Sequence, residues 1–437
     1  MGLTVRDAIP KKFMRFIPTH PPMLRPPRTS TNKALIVSAS LVHFWSVAAA
    51  QNITLQLTNV DPLGVADFIP GEGTIDVGQT LGMENGIKGD LSYGLNVNST
   101  YDSNFSMSAD DPDSELYTYL TPSFNYRSDP EGGARFSLTG NYAPSMRFYL
   151  QNSGLNDLDH NGELTFTALG SKTTLSAYLR YEELAGGDRL AEEFVQGSII
   201  NVGVDGSYQI ASRTSLVASA SAAISDYQSS DLVGAEVYRG QVGGLWDATG
   251  RLSLGPSLRY TLTQSDNTGD QDAWALLLNG RYRAGEKIQL FSSIGVEHTK
   301  SSRDGFDPSL GFTGSFVGAY AITPRLAWSN SIIYGTVPSA TVSNFLVRNL
   351  ALTTSLNRTL TWGWLEAGVA VNFSDYEETG EVTSNPEMER NFSPYIGYQR
   401  MLFSERVAFQ TQLRYTINRG EVDWSQLQLS AGLQVQF

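Results

Sequence analysis

The chain has 437 residues, no cysteine and a formal net charge of −13. The acidic balance argues against nucleic-acid binding, because neutralising phosphates requires clustered positive charge, and the lack of cysteine excludes disulfides and thiolate chemistry. A hydrophobic content of 41% is low for a bundle of membrane-spanning helices, whereas 41 glycines, 20 tyrosines and 20 phenylalanines favour an all-β chain with many tight turns.

Residues 1–50 have the layout of an export signal. Basic residues precede a short apolar segment, residues 34–50, which ends in three alanines before Gln51. This pattern is typical of a secretory signal peptide with small residues at its cleavage site. An uncleaved amino-terminal anchor is the alternative. Because the region before the apolar segment is long for a signal, translation could start at Met23, which would leave a signal of ordinary length.

Residues 51–86 show no sustained alternation of apolar and polar side chains. The pairs Asp61-Pro62 and Pro70-Gly71 interrupt the segment, as is typical of loops. We interpret it as a periplasmic lead-in to the region that follows. A small plug inside a barrel is the alternative.

From residue 87 to residue 437 the sequence alternates apolar and polar residues in runs that fit membrane-crossing strands. Successive side chains of a strand point to opposite faces, and a tilted transmembrane strand needs about 9–11 residues. A strand with one apolar face can meet lipid only in a closed sheet, because an open edge in hydrocarbon leaves backbone groups unpaired. Clear examples are residues 91–98, 135–142, 175–181, 251–262 and 407–417.

The connections between these runs alternate in length and charge. Short periplasmic turns that alternate with longer extracellular loops are typical of outer-membrane barrels. We therefore predict an all-β fold, a transmembrane antiparallel up-and-down β-barrel of about 18 strands, with about 16 as the alternative. The short connections are residues 129–133, 170–172, 211–213, 249–251, 285–287, 323–325 and 404–406, and the longer acidic ones are residues 110–113, 187–193, 266–272, 304–307 and 375–381.

The last stretch, residues 425–437, is predicted to be a strand with two faces. Aliphatic side chains and the terminal Phe437 fall on one face, and glutamine, serine and glycine fall on the other. A strand of this kind with an aromatic end resembles the terminal assembly-signal strand of bacterial outer-membrane β-barrels. The resemblance implies that the barrel assembly machinery reads Phe437. For this stretch alone, an edge strand of a soluble sandwich is the alternative.

A second stretch, residues 100–106, has the sequence Thr-Tyr-Asp-Ser-Asn-Phe-Ser and leaves the first predicted strand. It resembles a short motif of a class of porins among the bacterial outer-membrane β-barrels. The resemblance in architecture covers residues 87–437 and implies the cell outer membrane of a Gram-negative bacterium, with its lipid and lipopolysaccharide as surroundings. It suggests polysaccharide export as one role and implies no particular substrate.

The sequence carries no recognisable catalytic signature. His160 and His298 are the histidines beyond residue 50, and neither lies in a nucleophile motif or a metal-ligand motif. We expect no enzyme activity, no cofactor and no dedicated metal site. The acidic loops are expected to be solvated, although clustered carboxylates there could also hold divalent cations at the lipopolysaccharide surface.

Six arginines are predicted to point into the barrel. They can pair with inward acids and stiffen the wall, which is the plainer interpretation. They can also create a field that selects anions or sugar acids, since charged side chains set the selectivity of pores. The six are Arg135, Arg147, Arg180, Arg259, Arg281 and Arg414.

Together these patterns predict an outer-membrane porin, or a conduit for solutes or polysaccharides, with a polar lumen that carries arginines. The alternative is a non-conducting structural or adhesion barrel that binds a surface partner through its acidic loops. An outer-membrane hydrolase is the third possibility. Whether the barrels form homo-oligomers is left open.

Overall fold

The computed structural model describes residues 54–56, 74–76, 91–128, 135–188, 193–228, 234–265, 270–285, 287–302, 308–338, 345–378, 388–402, 406–420 and 423–437. The predicted signal and most of the lead-in lie outside these residues and stay predictions. Within the lead-in, Thr54–Gln56 (β1) and Thr74–Asp76 (β2) form a two-stranded antiparallel sheet. No helix among the described residues is long and apolar enough to cross a membrane.

The remaining strands close into one antiparallel barrel, in which the last strand pairs with the first. They are β3 (Leu91–Asp102), β4 (Glu115–Ser128), β5 (Phe136–Tyr142), β6 (Ser145–Tyr149), β7 (Leu158–Asp159), β8 (Asn161–Leu169), β9 (Thr173–Asp188), β10 (Glu193–Ala211), β11 (Thr214–Tyr227), β12 (Ala235–Asp247), β13 (Leu252–Ser265), β14 (Gln271–Ala284), β15 (Ile288–Ser301), β16 (Ser309–Thr323), β17 (Leu326–Pro338), β18 (Phe345–Leu360), β19 (Gly363–Glu378), β20 (Glu389–Met401), β21 (Val407–Arg419) and β22 (Trp424–Gln436).

Two pairs of these strands are each one crossing strand with a short interruption. Tyr142 of β5 faces Phe124 of β4, and Met146 of β6 faces Leu120 of β4, so the register does not change across the break. Pro144 lies in this break, and proline has no N–H to donate to the ladder. β7 and β8 are likewise divided by one residue. The described barrel therefore has eighteen crossing strands, which confirms the predicted number.

The barrel closes where β22 pairs with β3, in a register that runs from Gln428↔Asp102 to Gln436↔Gly94. In three places strand pairing extends into a predicted acidic loop, since Asp188 of β9 pairs with Glu193 of β10, β14 begins at Gln271 and β19 continues to Glu378. Acidic side chains do not prevent this, because the hydrogen bonds of the ladder are made by the backbone.

The wall has an apolar outer face and a polar inner face. Leu258, Leu276 and Ile294, on three neighbouring strands, point outward and are 44%, 59% and 57% exposed. On the opposite face, Arg259 and Asn279 are 3% and 5% exposed. A belt of exposed apolar side chains around a closed sheet is stable in a bilayer, because the sheet leaves no unpaired edge in the hydrocarbon. The structure thus confirms a transmembrane antiparallel up-and-down β-barrel.

Candidate functional site

Arg147 is buried in an ion pair at the inner face of β6. Its side chain is 2% exposed, and its Nη2 donates to Oδ1 of Asp159 at 2.7 Å. Its Nε lies 2.5 Å from Oδ2 of Asp159, so the ion pair is bidentate. Its Nη1 donates to the hydroxyl of Tyr149 at 3.4 Å. Because Asp159 belongs to β7, this arginine fastens two neighbouring strands to each other.

Arg259 lies along the inner wall and reaches across three strands. Its Nη2 donates to Oε2 of Glu297 at 2.8 Å and to Oγ1 of Thr313 at 3.1 Å. Glu297 is in β15 and Thr313 in β16, whereas Arg259 is in β13. Its Cα partner on the strand between is Ala275, whose small side chain leaves room for the arginine to pass. The pair is buried on both sides, with Glu297 8% exposed.

Arg414 takes part in a third inner-wall contact, which runs over β21, β20 and β19. Its guanidinium carbon lies 5.4 Å from the centre of the Tyr395 ring, a cation–π distance. The Tyr395 hydroxyl donates to Oε1 of Glu366 at 3.1 Å. A Cβ at Gly368 would lie 2.6 Å from the ring carbon Cζ of Tyr395, so a larger residue at position 368 would clash with the ring.

The other three predicted arginines are less enclosed. Arg180 of β9 is half-buried, and its Nη2 donates to Oε2 of Glu182 at 2.8 Å. Arg281 of β14 is also half-buried, and Arg135 is exposed just before β5. The six arginines are spread around the wall and do not gather in one site. Their role in selecting solutes stays a prediction.

A buried carboxylate that the sequence did not reveal anchors one of the loops. Glu115, the first residue of β4, is 0% exposed. Its Oε1 accepts hydrogen bonds from the backbone N–H groups of Leu150 and Gln151, both at 2.9 Å. Its Oε2 accepts from the backbone and side-chain nitrogens of Asn152, at 2.9 and 2.7 Å. These donors replace water around the charge and hold residues 150–152 against β4.

Aromatic contacts hold the loop between β3 and β4, residues 103–114, in place beside the carboxylate of Glu115. Phe105 is 7% exposed, and its ring centre lies 6.1 Å from that of Tyr117 and 5.5 Å from that of Tyr149. Tyr117 and Tyr119 are in edge contact at 5.4 Å. Tyr149 also contacts Arg147, so the rings and the buried ion pair form one cluster at the loop end of the wall.

Phe437 lies at the opposite, turn end of the closing strand pair. Its side chain is 69% exposed on the outer face, and its backbone N–H donates to the carbonyl of Tyr93 at 2.8 Å. An exposed ring at this place can contact lipid or another protein. That the assembly machinery reads it stays a prediction.

Both histidines of the described residues lie on the outer face. Nδ1 of His160 and the hydroxyl of Tyr142 are 2.7 Å apart, and the backbone N–H of His160 donates to Glu183 at 2.6 Å. His298 is exposed on β15. Within the described part of the chain no three His, Asp or Glu residues are placed to hold a metal ion. The expectations of no enzyme activity and no metal stay predictions.

The sequence matches no family model and no curated protein. Solved structures similar to the barrel include the outer membrane protein OpdK from Pseudomonas aeruginosa, with 13% identity, a TM-score of 0.44 and coverage of 80% of this chain and 99% of that one. OccAB4 from Acinetobacter baumannii has 10% identity, a TM-score of 0.44 and coverage of 80% and 99%. A BenF-like porin from Pseudomonas fluorescens has 10% identity, a TM-score of 0.44 and coverage of 80% and 100%.

The described barrel has a closed wall of eighteen crossing strands, which separates an apolar outer face from a polar inner face. A wall of this construction is stable where lipid surrounds it and water or polar groups fill it. The protein is a transmembrane β-barrel.

Proposed function

We propose that the barrel is a passive conduit for polar solutes across the outer membrane. The observation that carries the proposal is the closed wall of eighteen strands with a polar inner face. The diameter of a barrel grows with its strand number. Barrels of about 8 strands can be filled by their own side chains, whereas those of about 16–18 strands leave room for an aqueous channel.

The paired arginines support a particular kind of channel wall. Arg147 and Arg259 each have a buried acid as partner, so these residues add little net charge to the interior and mainly hold neighbouring strands together. Arg180 is half-buried and its partner Glu182 is close, so it can still contribute to the local field. The conduit is therefore proposed to select ions only weakly.

A polysaccharide or sugar-acid cargo is a narrower form of the same proposal. It is supported by the polysaccharide export that the resemblance of residues 100–106 suggests and by the half-buried arginines Arg180 and Arg281 of the inner face. The same proposal includes lipopolysaccharide as the neighbour of the acidic loops and the assembly machinery as the partner of Phe437. For the cargo, an anionic oligosaccharide should block the current through the barrel, and a neutral one of equal length should block it less.

Conductance in a planar lipid bilayer tests the conduit directly. Purified, refolded barrel should give discrete open-channel steps. Gln412→Trp places a bulky ring on the inner face of β21 and should lower the step size, whereas Leu413→Trp, one residue further and on the outer face, should leave it unchanged. A folded barrel that gives no steps would contradict the proposal and favour a non-conducting structural or adhesion role.

A further inference from the structure

The closing strand pair, β22 with β3, differs from the other pairs of crossing strands in how its register is set. Along the rest of the described barrel, paired strands follow one another in the chain, and in a hairpin the turn fixes the register. β3 and β22 are the first and last strands of the barrel, and they pair from Gln428↔Asp102 to Gln436↔Gly94. Since no turn joins them, other contacts must fix their register.

The alternation of apolar and polar side chains cannot fix the register of β22 and β3 alone. A slip of one residue would turn the apolar face of β22 inward, but a slip of two residues keeps each side chain on its own face. Leu429 and Leu433 would still point outward, and the inner face would still present glutamine, serine and glycine. A slip of two must therefore be disfavoured by contacts between particular residues.

Asp102 makes such contacts at the loop end of β3. Its side chain is 2% exposed, although it is a carboxylate. Its Oδ2 accepts hydrogen bonds of 2.9 Å from Nε2 of Gln426 and from Nε2 of Gln428, both on β22. Its Oδ1 accepts a hydrogen bond of 3.0 Å from the backbone N–H of Asn104. In this register Gln428 lies directly opposite Asp102, and Gln426 is its diagonal neighbour on β22.

The two residues that follow extend the contact beyond the ladder. The N–H of Ser103 donates to the carbonyl of Leu427 at 3.0 Å, and the N–H of Leu427 donates to Oγ of Ser103 at 2.8 Å. Nδ2 of Asn104 donates to the carbonyl of Ser425 at 3.1 Å. Nε2 of Gln426 donates to the carbonyl of Asn104, also at 3.1 Å. Side chains on both sides thus contribute hydrogen bonds between residues 103–104 and β22.

Asn104 also shapes the loop that leaves the strand. Its Oδ1 accepts from the N–H of Ser108 at 3.0 Å, and its Nδ2 donates to the carbonyl of Ser108 at 2.8 Å. Within this turn Met107 has a φ of 55°, in the left-handed region that residues other than glycine rarely adopt. The contacts of Asn104 offset this strain and keep residues 103–108 in place beside β22.

We propose that Asp102, Ser103 and Asn104, with Gln426 and Gln428 opposite them, form a register latch. The latch selects the correct pairing when the first and last strands of the barrel meet. A slip of two residues that places Ser430 opposite Asp102 moves Gln426 four residues away along β22, so the buried carboxylate loses one of its two amide donors, which is disfavoured. The opposite slip places Gln426 opposite Asp102, and Ser103 and Asn104 then lose Leu427 and Ser425 as their partners. Residues 102–104 lie within the stretch that resembles a porin motif, so the latch gives that stretch a structural role.

Gly432 provides a second contact that depends on register. It is the Cα partner of Asn98, and a Cβ at position 432 would lie 2.6 Å from the backbone oxygen of Val97. A slip of two residues would bring Ser430 or Gln434 to this place. Because the obstructing atom belongs to the backbone, either side chain would force the two strands apart.

Disulfide trapping can read the register, because the chain has no cysteine of its own. Ser99 and Ala431 are Cα partners, whereas Val97 lies opposite Leu433. Directly opposite cysteines are within disulfide range, and diagonal positions, about 7–8 Å apart, are too far. The pair Ser99→Cys with Ala431→Cys therefore reports the native register. The pairs Val97→Cys with Ala431→Cys and Tyr101→Cys with Ala431→Cys report slips of two residues.

In barrels refolded in detergent, the native pair should be the major cross-link. With Asp102→Ala, one of the slipped pairs should become the major cross-link and the yield of the native pair should fall. The double variant Gln426→Ala, Gln428→Ala retains the carboxylate and removes its donors. This double variant should also shift the major cross-link from the native pair to a slipped pair. It tests the latch independently if Asp102→Ala does not fold.

Gln241→Ala is the matched control. Gln241 is also a buried inner-face glutamine, and its Nε2 donates to Oγ of Ser257 at 2.9 Å, but a short turn joins its strand to the next. This variant should leave the cross-links of the closing strands unchanged. Native-register cross-links alone, in both the Asp102 variant and the double glutamine variant, would overturn the proposal.

Discussion

The two faces of β21 are stabilised in different ways, although their residues alternate along one strand. On the outer face, Leu413 is 42% exposed and needs only lipid around it. On the inner face, the neighbouring Arg414 is stacked on Tyr395, whose hydroxyl reaches Glu366. The difference teaches that the outer face depends on apolar character alone, whereas the inner face depends on which residues meet. Substitutions on the two faces should therefore destabilise the barrel for different reasons.

The largest loss of stability is expected from Arg259→Gln, on the inner face. This change leaves Glu297, which is 8% exposed, without its counter-charge. Removing one partner of a buried ion pair costs about 3–5 kcal/mol. Urea unfolding of barrels refolded in lipid vesicles measures the loss.

The double variant Arg259→Met, Glu297→Leu removes both charges of the same pair. Replacing a buried pair by apolar residues is often neutral, so this variant should recover most of the stability. A loss below about 1 kcal/mol in the single variant would place the pair in the range of exposed ion pairs and contradict its enclosure in the wall.

A matched pair of changes on β21 compares the two faces directly. Leu413→Arg puts a charge on the outer face near the middle of the strand and should cost about 2–4 kcal/mol. Arg414→Gln, on the inner face, removes a stacked cation but keeps the Tyr395–Glu366 hydrogen bond, so it should cost less. Unfolding in vesicles measures both. Equal losses would mean that the inner and outer faces of this strand are assigned wrongly.

Deletion of Phe437 separates a contribution to stability from a role in assembly. The ring is 69% exposed on the outer face, so losing its contact with lipid should cost at most about 1.5–3 kcal/mol. If the assembly machinery reads the residue, the outer-membrane level of the protein should collapse while the purified protein still refolds in detergent. Phe392→Ala, at another outward phenylalanine, is the control and should retain a nearly normal level. A normal level after deletion would remove the assembly role.

The smallest effect on stability is expected from Arg180→Gln. The Arg180 side chain is 27% exposed and that of Glu182 is 8% exposed, so solvent reaches only the arginine side of this pair. Because the Arg259–Glu297 pair is buried on both sides, the loss from Arg180→Gln should be smaller than that from Arg259→Gln. The change leaves a negative charge at the inner wall and should shift ion preference toward cations. Reversal potentials across a salt gradient measure the shift, which should fade near 1 M salt, where the Debye length is about 3 Å. An unchanged preference would leave Arg180 with a role in the wall alone.

The fold could be predicted from the sequence because alternation with period two reports directly which face of a strand meets lipid. Leu413 and Arg414 are adjacent in sequence, and their opposite surroundings follow from strand geometry alone. Strand ends were less predictable. Pairing continues up to Asp188 and Glu193, which lie in a region that its acidic residues marked as a loop.

The contacts of the inner wall could not be predicted, because they depend on the register between strands that are distant in the chain. Glu297 becomes the partner of Arg259 only because β13, β14 and β15 align as they do. Asp102 and Gln426 are 324 residues apart and meet only when the barrel closes. Glu115 stands at the start of a strand after an acidic stretch, so nothing in its neighbourhood marks it as buried.

Water access to single cysteines on β21 tests the central claim, a wall with lipid on one side and a water path on the other. The chain has no native cysteine, so Gln412→Cys and Leu413→Cys each introduce one thiol, on the inner and the outer face respectively. In vesicles, a charged thiol reagent that cannot enter lipid should label the cysteine at 412 and leave the cysteine at 413 unlabelled. Equal labelling at both positions, or labelling at 413 alone, would contradict the account.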